Sequence, residues 1–348
     1  MYRTIVVGTD GSETAARALA RAAQVARHVG SRLVIVCASA PVGMTDDVAE
    51  EVLSYARDAA RRQGVDAETV LREGDPANVI AAVAGETGAD LIVVGNVGMG
   101  KARRLRLGGV AEHVATQTPC DVLVAFTKEE REAPADDRPY RRIVVGTDGS
   151  STATEAARKA FDLGMVFGIG VTVVYVAGDP IVGAIVLERT KAGKPRALGV
   201  QTELVEGEPA PKIVEVAEQA GGDLIVVGNK GLTGARRVLL GSVPSQVAHA
   251  APTDVLIAKT VERTIDDLAP GHGGVVEVEG RSLAVFMGED GTMIALSPRC
   301  QHMGCTVDWN DADATWDCPC HGSRYTRDGK VIQGPATKDL DRADVTPR

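Results

Sequence analysis

The sequence predicts a fold of the α/β plus all-β class: two doubly wound domains with five-stranded parallel sheets, followed by a small antiparallel β domain. Two observations predict the α/β domains. TIVVGTDGSETAARALARAA (4–23) recurs as RIVVGTDGSSTATEAARKAF (142–161), and ADLIVVGNVGMGKARRLRLGGV (89–110) recurs as GDLIVVGNKGLTGARRVLLGSV (222–243). Within each copy, short apolar runs rich in β-branched residues alternate with helical patterns, which is typical of a parallel sheet.

The elements of the first copy follow one another in a regular order. TIVVGT, RLVIVCA, AETVLRE, DLIVVGN and DVLVAF are its predicted strands. Apolar residues at helical spacing end at Gly30, and Asp75 followed by Pro76 predicts the start of the third helix. The second copy is shorter between its second and third strands, which predicts a curtailed second helix. The predicted segments are an α/β domain at 1–127, a charged linker at 128–140, an α/β domain at 141–260 and a third domain at 264–348.

Composition and charge exclude several classes of function. The net charge of −9 and the aromatic content of 3% argue against a nucleic-acid partner, which requires a basic face and stacking platforms. The longest apolar runs have the length of strands, so no transmembrane segment is predicted. A strand-like segment begins almost at the first residue, which predicts no signal peptide and a cytoplasmic location.

A glycine-rich loop follows the fourth strand of each copy. In the second copy Gly228, Gly231, Gly241 and Ser242 form a G-x2-G-x9-G-S pattern. Glycines let the backbone approach an anion closely, and successive N–H groups with a helix N-terminus supply positive potential. The pattern is compatible with a phosphate site, although strand-to-helix turns also use glycine for reasons of backbone conformation.

The two copies of strand-TDGS, each with this glycine loop, resemble the universal stress protein family. The resemblance implies ATP or another adenine nucleotide, with Mg²⁺, at the carboxyl ends of the strands. It also implies pairing of the two domains through their last strands, within one chain as a pseudo-dimer or between chains as a homo-oligomer. The nucleotide-binding residues that it implies are Asp148, Val176, Gly228, Gly231, Gly241, Ser242 and Val243 in the second copy, and Asp10, Gly95, Gly98, Gly108 and Gly109 in the first.

The first copy departs from the family pattern at two positions. Gly109 stands where the family has Ser or Thr, and Ala38 replaces the valine expected to contact adenine. Loss of one hydroxyl donor typically costs about 1 kcal/mol. The alternative interpretation is a pseudo-dimeric scaffold that binds no nucleotide. Neither copy shows a nucleophile–base pair or a carboxylate cluster suited to ATP hydrolysis.

Four of the six cysteines cluster between residues 300 and 320, near two histidines. Cys37 and Cys120 lie in or beside apolar strands and are predicted to be inert. In a reducing compartment, clustered cysteines are more often metal ligands than crosslinks. Zinc is one alternative. The candidate ligands occur as two pairs in the sequence, however, and each pair contains one cysteine and one histidine. This composition suits a two-iron cluster in which one iron binds both thiolates and the other binds both imidazoles. The candidate ligands are Cys300, His302, Cys318 and His321.

The segments CQHMGC (300–305), CPCHGSRY (318–325) and GPA (334–336) resemble the Rieske [2Fe–2S] domain. The resemblance implies a small antiparallel β fold, the four ligands named above and a loop at Pro335 that covers the cluster. It also implies the disulfide of the high-potential type, between Cys305 and Cys320.

The same resemblance assigns a role to two hydroxyl groups. Ser323 and Tyr325 match the family's donors of hydrogen bonds to a bridging sulfide and to a ligand sulfur. Such donors stabilise the more negative reduced cluster and raise its potential. We therefore predict a reduction potential of roughly 0 to +300 mV.

No second catalytic centre accompanies the predicted cluster. The chain lacks the two-histidine, one-carboxylate iron site of an oxygenase and a G-x-G-x-x-G flavin fingerprint. The sequence therefore predicts a one-electron carrier rather than a complete enzyme, with His302 and His321 as its exchange surface. Its expected partners are a cytoplasmic oxidoreductase, such as a dehydrogenase or hydrogenase, and an acceptor such as the respiratory chain. The alternative is a redox- and nucleotide-responsive stress sensor that signals by binding a protein partner.

Overall fold

The computed structural model describes residues 2–40, 43–96, 107–126, 138–177, 179–195, 197–229, 240–260, 264–278, 281–302, 307–318 and 322–344. The chain divides into two compact units, Met1–Thr260 and Val261–Arg348. None of the helices in the described ranges is both long enough and apolar enough to cross a membrane.

The first unit contains both sequence repeats, and the described residues of each repeat form five strands and four helices. The strands of the first repeat are β1 (Thr4–Gly8), β2 (Arg32–Ser39), β3 (Ala67–Glu73), β4 (Leu91–Gly95) and β5 (Asp121–Ala125). Its helices are α1 (Glu13–Val29), α2 (Asp46–Arg62), α3 (Pro76–Thr87) and α4 (Gly109–Gln117). The strands of the second repeat are β6 (Arg142–Gly146), β7 (Gly170–Ala177), β8 (Val200–Glu206), β9 (Leu224–Gly228) and β10 (Asp254–Ala258). Its helices are α5 (Ser151–Phe167), α6 (Pro180–Ala192), α7 (Pro209–Gln219) and α8 (Ser242–Ala250).

Local sequence explains where these helices begin and end. Ser12 and Ser150 cap α1 and α5 by accepting a hydrogen bond from the backbone three residues on. Gly30 ends α1 in the left-handed conformation, with φ of 72°. Asp75 caps α3 as predicted, 3.1 Å from the Asn78 amide nitrogen. The second helix of the second repeat is shorter, as predicted: α6 has 13 residues and α2 has 17.

All ten strands belong to one sheet, with the order β3-β2-β1-β4-β5-β10-β9-β6-β7-β8. Within each repeat the pairs are parallel, as predicted, and helices cover both faces with apolar clusters. The repeats join through β5 and β10, which pair antiparallel with Leu123 opposite Leu256. The pairing through last strands that the resemblance implied therefore occurs within one chain.

A buried carboxylate from the first repeat lies at this junction. Asp121 begins β5 and is 2% exposed. Its side chain accepts hydrogen bonds from the Tyr2 hydroxyl at 2.7 Å, the Lys159 ammonium at 2.6 Å and the Lys259 amide at 2.8 Å. Tyr2 belongs to the same repeat, whereas Lys159 and Lys259 belong to the other. The buried charge of Asp121 is therefore fully compensated only when the second repeat packs against the first.

The second repeat supplies the matching carboxylate. Asp254 begins β10, is 4% exposed and accepts hydrogen bonds from the Tyr140 hydroxyl at 2.8 Å, Arg21 Nε at 2.7 Å and the Phe126 amide at 2.9 Å. Arg21 and Phe126 come from the first repeat. Burial and the charge of Asp254 raise the pKa of Tyr140 well above its ordinary value. Burial lowers the pKa of Arg21, but the charge of Asp254, the charge of Tyr140 and the hydrogen bond to Asp254 together outweigh burial and raise this pKa.

In the second unit, the described residues form two small antiparallel sheets after a 3₁₀ turn at Ile265–Asp267, in agreement with the predicted class. One sheet contains β11 (Gly273–Val278), β12 (Arg281–Met287) and β13 (Met293–Leu296). The other contains β14 (Asp308–Asn310), β15 (Thr315–Asp317), β16 (Arg324–Thr326) and β17 (Val331–Gln333).

Aromatic side chains join the two sheets of this unit. The ring centroids of Trp309 and Trp316 are 4.9 Å apart, and those of Phe286 and Trp309 are 5.2 Å apart. A Cβ atom on Gly273 would lie 2.5 Å from the Trp309 ring. Only glycine at this position lets β11 approach Trp309 so closely.

We expect the stability of the first unit to fall as the pH rises above about 10. In the folded protein the raised pKa keeps Tyr140 protonated, whereas the phenol ionises at its ordinary pKa in the unfolded chain. This contribution is complete below the unfolded-state pKa and is lost as the pH rises towards the folded-state pKa. Urea unfolding between pH ~8 and pH ~11 should show a shallower decline for Tyr140→Phe. Tyr55→Phe, which alters a tyrosine that is 67% exposed, is the control. Equal slopes for all three proteins would contradict the expectation.

Candidate metal centre and nucleotide sites

The two candidate cysteine ligands lie in the apolar core of the second unit. Cys300 follows β13, Cys318 follows β15, and each is 2% exposed. They share a cluster of buried side chains with Leu296, Trp316 and Tyr325. A thiolate in such surroundings has a large desolvation cost unless a cation offsets its charge. The donor chemistry of this core therefore fits a bound metal centre.

Two backbone hydrogen bonds connect Cys318 with the described residues Gly322 and Ser323. The Cys318 amide donates to the Ser323 carbonyl at 2.7 Å, and the Gly322 amide donates to the Cys318 carbonyl at 3.0 Å. Gly322 has a φ of 73°, a left-handed conformation that favours glycine. The candidate ligand His321 lies outside the described residues, as do both cysteines of the predicted Cys305–Cys320 disulfide.

Tyr325 links the two halves of the candidate site. Its hydroxyl oxygen lies 3.0 Å from the Cys300 Sγ and accepts a hydrogen bond from the Gln301 amide at 3.2 Å. Burial and the hydrogen bond with Cys300 raise the pKa of Tyr325. The phenol therefore stays protonated. A Cys300 thiolate can only accept a hydrogen bond, so with Cys300 in that form the Tyr325 hydroxyl donates to the sulfur.

Ser323 anchors the proline-containing loop. Its side chain is fully buried, and its Oγ accepts a hydrogen bond from the Ala336 amide at 3.0 Å. This contact connects Ser323 with the segment that contains the exposed Pro335. Since the hydroxyl oxygen accepts here, its proton is left for donation to an acceptor in the candidate site.

His302 is exposed, in contrast to the cysteines. Within the described part of the chain, no three His, Cys, Asp or Glu side chains are grouped closely enough to hold a metal ion. The predicted ligand set needs His321, beyond that part. The assignment of Cys300, His302, Cys318 and His321 as ligands therefore stays a prediction.

A contact that sequence reasoning missed fixes the first ligand loop. The Gln301 side-chain amide donates to the Asp341 carboxylate at 3.0 Å. The backbone carbonyl of Asp341 accepts from the Ser297 amide at 2.7 Å, so the segment that carries Asp341 runs beside the end of β13. No local signal pointed to this pair, because 40 residues separate its members.

The TDGS turns of both repeats have the same geometry. The Asp10 carboxylate accepts from the Ser12 amide at 2.9 Å, and the Asp148 carboxylate accepts from the Ser150 amide at 2.9 Å. Each turn directly follows the first strand of its repeat, β1 or β6. In the strand order, that strand lies between the second and the fourth strands, where the direction of the connections reverses. Ligands of doubly wound sheets bind at such a position.

The described residues at the ends of the two glycine loops make the same hydrogen bond. The Gly108 amide donates to the Asn96 carbonyl at 2.7 Å, and the Gly241 amide donates to the Asn229 carbonyl at 2.8 Å. Helices α4 and α8 begin at the next residue, so their N-termini stand at the loop ends. Gly95, Gly109, Gly228, Ser242 and Val243 flank these closures, whereas Gly98 and Gly231 lie outside the described residues.

Space around individual glycines differs within the loops. A Cβ atom on Gly228 would lie 2.8 Å from the Thr152 backbone, so a side chain there would displace α5. A Cβ atom on Gly109 would meet nothing within 4 Å. The wall positions Ala38 and Val176 are both partly buried against the same apolar cluster. The structure therefore has room at Gly109 for the hydroxyl-bearing side chain that the first repeat lacks.

The sequence profile of the universal stress protein family matches residues 1–125 and 139–259. The chain belongs to this family. A relative, universal stress protein MJ0531 of Methanocaldococcus jannaschii, is 37% identical over 140 residues, which are 34% of this chain and 82% of the relative. A crystal structure of a universal stress protein from Archaeoglobus fulgidus shares the fold, with a TM-score of 0.61 and 21% identity over 74% of this chain and 98% of that one.

The profile of the Rieske [2Fe-2S] domain matches residues 259–344, which confirms the predicted architecture and implies a [2Fe–2S] cluster. The Rieske 2Fe-2S iron-sulfur protein YhfW of Bacillus subtilis is 45% identical over 80 residues, 23% of this chain and 16% of that protein. The menaquinol:cytochrome c reductase iron-sulfur subunit of Geobacillus thermodenitrificans is 50% identical over 68 residues, 18% of this chain and 40% of the subunit. The chain thus spans less than half of either Rieske relative.

We expect Tyr325→Phe to lower the midpoint potential by about 40 mV, the one-electron equivalent of a hydrogen bond worth about 1 kcal/mol. The substitution removes the donor to the Cys300 sulfur and retains the ring in the core. The measurement is a redox titration of the full chain. Ser282→Ala, which removes an exposed hydroxyl on β12, should leave the potential unchanged. An unchanged potential in Tyr325→Phe would show that the phenol does not act on a ligand sulfur.

Proposed function

We propose that this protein is a one-electron carrier whose Rieske domain exchanges electrons with a redox protein, while its tandem universal stress protein domains bind an adenine nucleotide. A [2Fe–2S] cluster supplies one-electron chemistry when bound. The observation that carries the proposal is the hydroxyl of Tyr325, 3.0 Å from a buried cysteine sulfur and positioned to donate to it.

The residues of the second unit have complementary tasks in this proposal. Cys300 and Cys318 place two thiolates in an apolar core, and Tyr325 and Ser323 provide donors that favour the reduced state. His302, exposed at the surface, marks where a redox partner approaches. A disulfide between Cys305 and Cys320 would tie the two ligand loops together and help to keep the potential within about 0 to +300 mV.

The partners are proposed by class. A carrier of this potential suits electron flow from an oxidoreductase, such as a dehydrogenase or hydrogenase, towards an acceptor such as the respiratory chain. The second unit contains fourteen Asp and Glu against eight Lys and Arg between residues 264 and 348. This excess of negative charge favours a redox partner with a basic docking face. We place the protein in the cytoplasm.

The nucleotide part of the proposal rests on matching geometry in the two repeats. Each pairs an oriented aspartate, Asp10 or Asp148, with a closed glycine loop at a helix N-terminus. The second repeat adds the Ser242 hydroxyl at the first position of α8. We therefore propose tighter nucleotide binding in the second repeat than in the first.

A redox titration of the full chain followed by EPR, with and without ATP, tests the carrier. We expect a signal typical of a Rieske cluster in the reduced protein and a midpoint above about 0 mV. An ATP-dependent shift of about 30 mV or more, equivalent to about 0.7 kcal/mol for one electron, would instead favour a sensor in which nucleotide and redox state are coupled. Stoichiometric zinc without an EPR signal would rule out electron transfer.

Gly109→Ser is expected to increase the ATP affinity of the first repeat about fivefold, which corresponds to one added hydrogen bond of about 1 kcal/mol. The open space around Gly109 admits the new side chain without displacing a neighbour. The measurement is isothermal titration calorimetry of the full chain. Gly85→Ser, at a position on α3 with equally open surroundings, is the matched control. Equal affinities in parent and Gly109→Ser would contradict nucleotide binding at this loop.

A further inference from the structure

Residues 336–344 run across the second unit from the four-stranded sheet to β13. At one end the Ala336 amide donates a hydrogen bond to Ser323, which directly precedes β16. At the other end the Ala343 amide donates to the Ala295 carbonyl of β13 at 3.0 Å. This segment, called the 336–344 segment below, therefore connects the two sheets of the unit.

A buried side chain fixes the middle of the 336–344 segment. Leu340 is 4% exposed and belongs to the same apolar cluster as Cys300 and Cys318. Its amide donates to the Gly329 carbonyl at 2.8 Å, and a Cβ atom on Gly329 would lie 3.3 Å from the Leu340 Cβ. The backbone around Leu340 is therefore held in place by the core that contains both candidate cysteine ligands.

Two carboxylates of the 336–344 segment bind different parts of the unit. Asp339 and Asp341 lie two residues apart, and both are exposed. Asp339 accepts a hydrogen bond from the Val331 amide of β17 at 2.9 Å. Asp341 accepts a hydrogen bond from the Gln301 side chain at 3.0 Å. The second contact reaches the first ligand loop, because Gln301 lies between two candidate ligands in the sequence.

Gln301 connects this contact with the hydroxyl group beside the ligand sulfur. Its backbone amide donates to the Tyr325 hydroxyl oxygen at 3.2 Å, and that oxygen lies 3.0 Å from the Cys300 Sγ. A hydroxyl group whose oxygen accepts a hydrogen bond becomes a stronger donor, because successive hydrogen bonds polarise one another. The position of Gln301 therefore affects the strength of the hydrogen bond from Tyr325 to a Cys300 thiolate.

We propose that Asp341 is a positioning residue for the electron-transfer site. By holding the Gln301 side chain, it keeps the Gln301 amide on the Tyr325 oxygen and strengthens the hydrogen bond that favours the reduced state. Side chains that orient the loops around a metal site act on the metal in this indirect way. The role requires a [2Fe–2S] cluster bound at Cys300 and so rests on the proposed function.

The charge of Asp341 and its contact with Gln301 act on the midpoint potential in opposite directions. A nearby negative charge disfavours the more negative reduced state, so removal of the charge raises the potential. Removal of the contact weakens the donor to the sulfur and lowers the potential. Asp341→Asn removes the charge and keeps an oxygen that can accept from Gln301, whereas Asp341→Ala removes both. The difference between these two variants therefore isolates the contact.

Redox titration of the full chain, followed by EPR, compares the two variants. We expect the reduction equilibrium to be about threefold less favourable in Asp341→Ala than in Asp341→Asn, a midpoint difference of about 28 mV at about 59 mV for a tenfold change. Asp339→Ala and Asp339→Asn are the matched controls, and their midpoints should be equal because Asp339 holds β17 rather than the ligand loop. Equal midpoints for the two Asp341 variants would overturn the proposal, as would an equal difference within the Asp339 pair.

A change of Gln301 tests the same contact from the other side. In a Gln301→Ala background, the difference between Asp341→Ala and Asp341→Asn should disappear, because the two side chains act as one unit. A difference of undiminished size would show that Asp341 acts on the site without Gln301 and would also overturn the proposal.

Hydrogen exchange of the Gln301 amide, measured by mass spectrometry on the full chain, does not depend on redox activity. We expect exchange to be about fivefold faster in Asp341→Ala than in Asp341→Asn, the factor that corresponds to one hydrogen bond. Equal exchange rates would contradict the positioning role, whatever the EPR result. A parent protein without a Rieske EPR signal would contradict the proposed function, whereas the exchange difference would still support the hold of Asp341 on Gln301.

Discussion

The reciprocal placement of two buried carboxylates sets the architecture of the first unit. Asp121 and Asp254 stand where β5 meets β10, and each is compensated partly by its own repeat and partly by the other. An uncompensated carboxylate in this position would cost several kcal/mol. The apolar pairing of Leu123 with Leu256 favours burial but not one register, whereas two such carboxylates are both satisfied in one register only. Consequently the two repeats form one sheet, in which β4 and β9, the strands that precede the glycine loops, are each one strand away from the junction.

The sequence alone predicted the strands and helices of this unit, but it did not predict the interactions that join the two repeats. Repetition of TIVVGTDGS and of DLIVVGN predicted equal folds, and Asp75 before Pro76 predicted a helix start that the structure confirms. The partners of Asp121 lie 38, 119 and 138 residues away, so no periodicity or local motif reports them. A signal did exist in the comparison of the repeats: Tyr2, Arg21 and Asp121 have Tyr140, Lys159 and Asp254 as their counterparts. An acid, a base and a tyrosine retained together in both copies indicate a shared contact.

At the candidate metal centre, too, features set by neighbouring residues could be predicted from the sequence, whereas contacts between distant residues could not. The spacing of cysteines and histidines predicted four ligand positions, because ligands that belong to one loop are close together in the sequence. It also placed Ser323 and Tyr325, which lie within the same motif. The orientation of these hydroxyls depends on Ala336 and Gln301, and the position of Gln301 depends on Asp341, 40 residues away. The second unit also differs from the first in how it buries charge: Asp121 and Asp254 have cations beside them, whereas Cys300 and Cys318 share an apolar cluster. A metal centre is the missing compensation that this contrast implies.

The two repeats have diverged on one fold, and the differences fall together. The first repeat has Gly109 at the start of α4 and acids along α2, whereas the second has Ser242 at the start of α8 and the exposed Ile181 and Ile185 on α6. In both repeats the second helix contacts the TDGS turn. Val186 of α6 packs against Gly149, which follows Asp148 in the TDGS turn. In the first repeat Val52 of α2 packs against Gly11 in the same way. The second helix therefore limits the position of the TDGS turn in both copies, although the outer sides of the two helices differ.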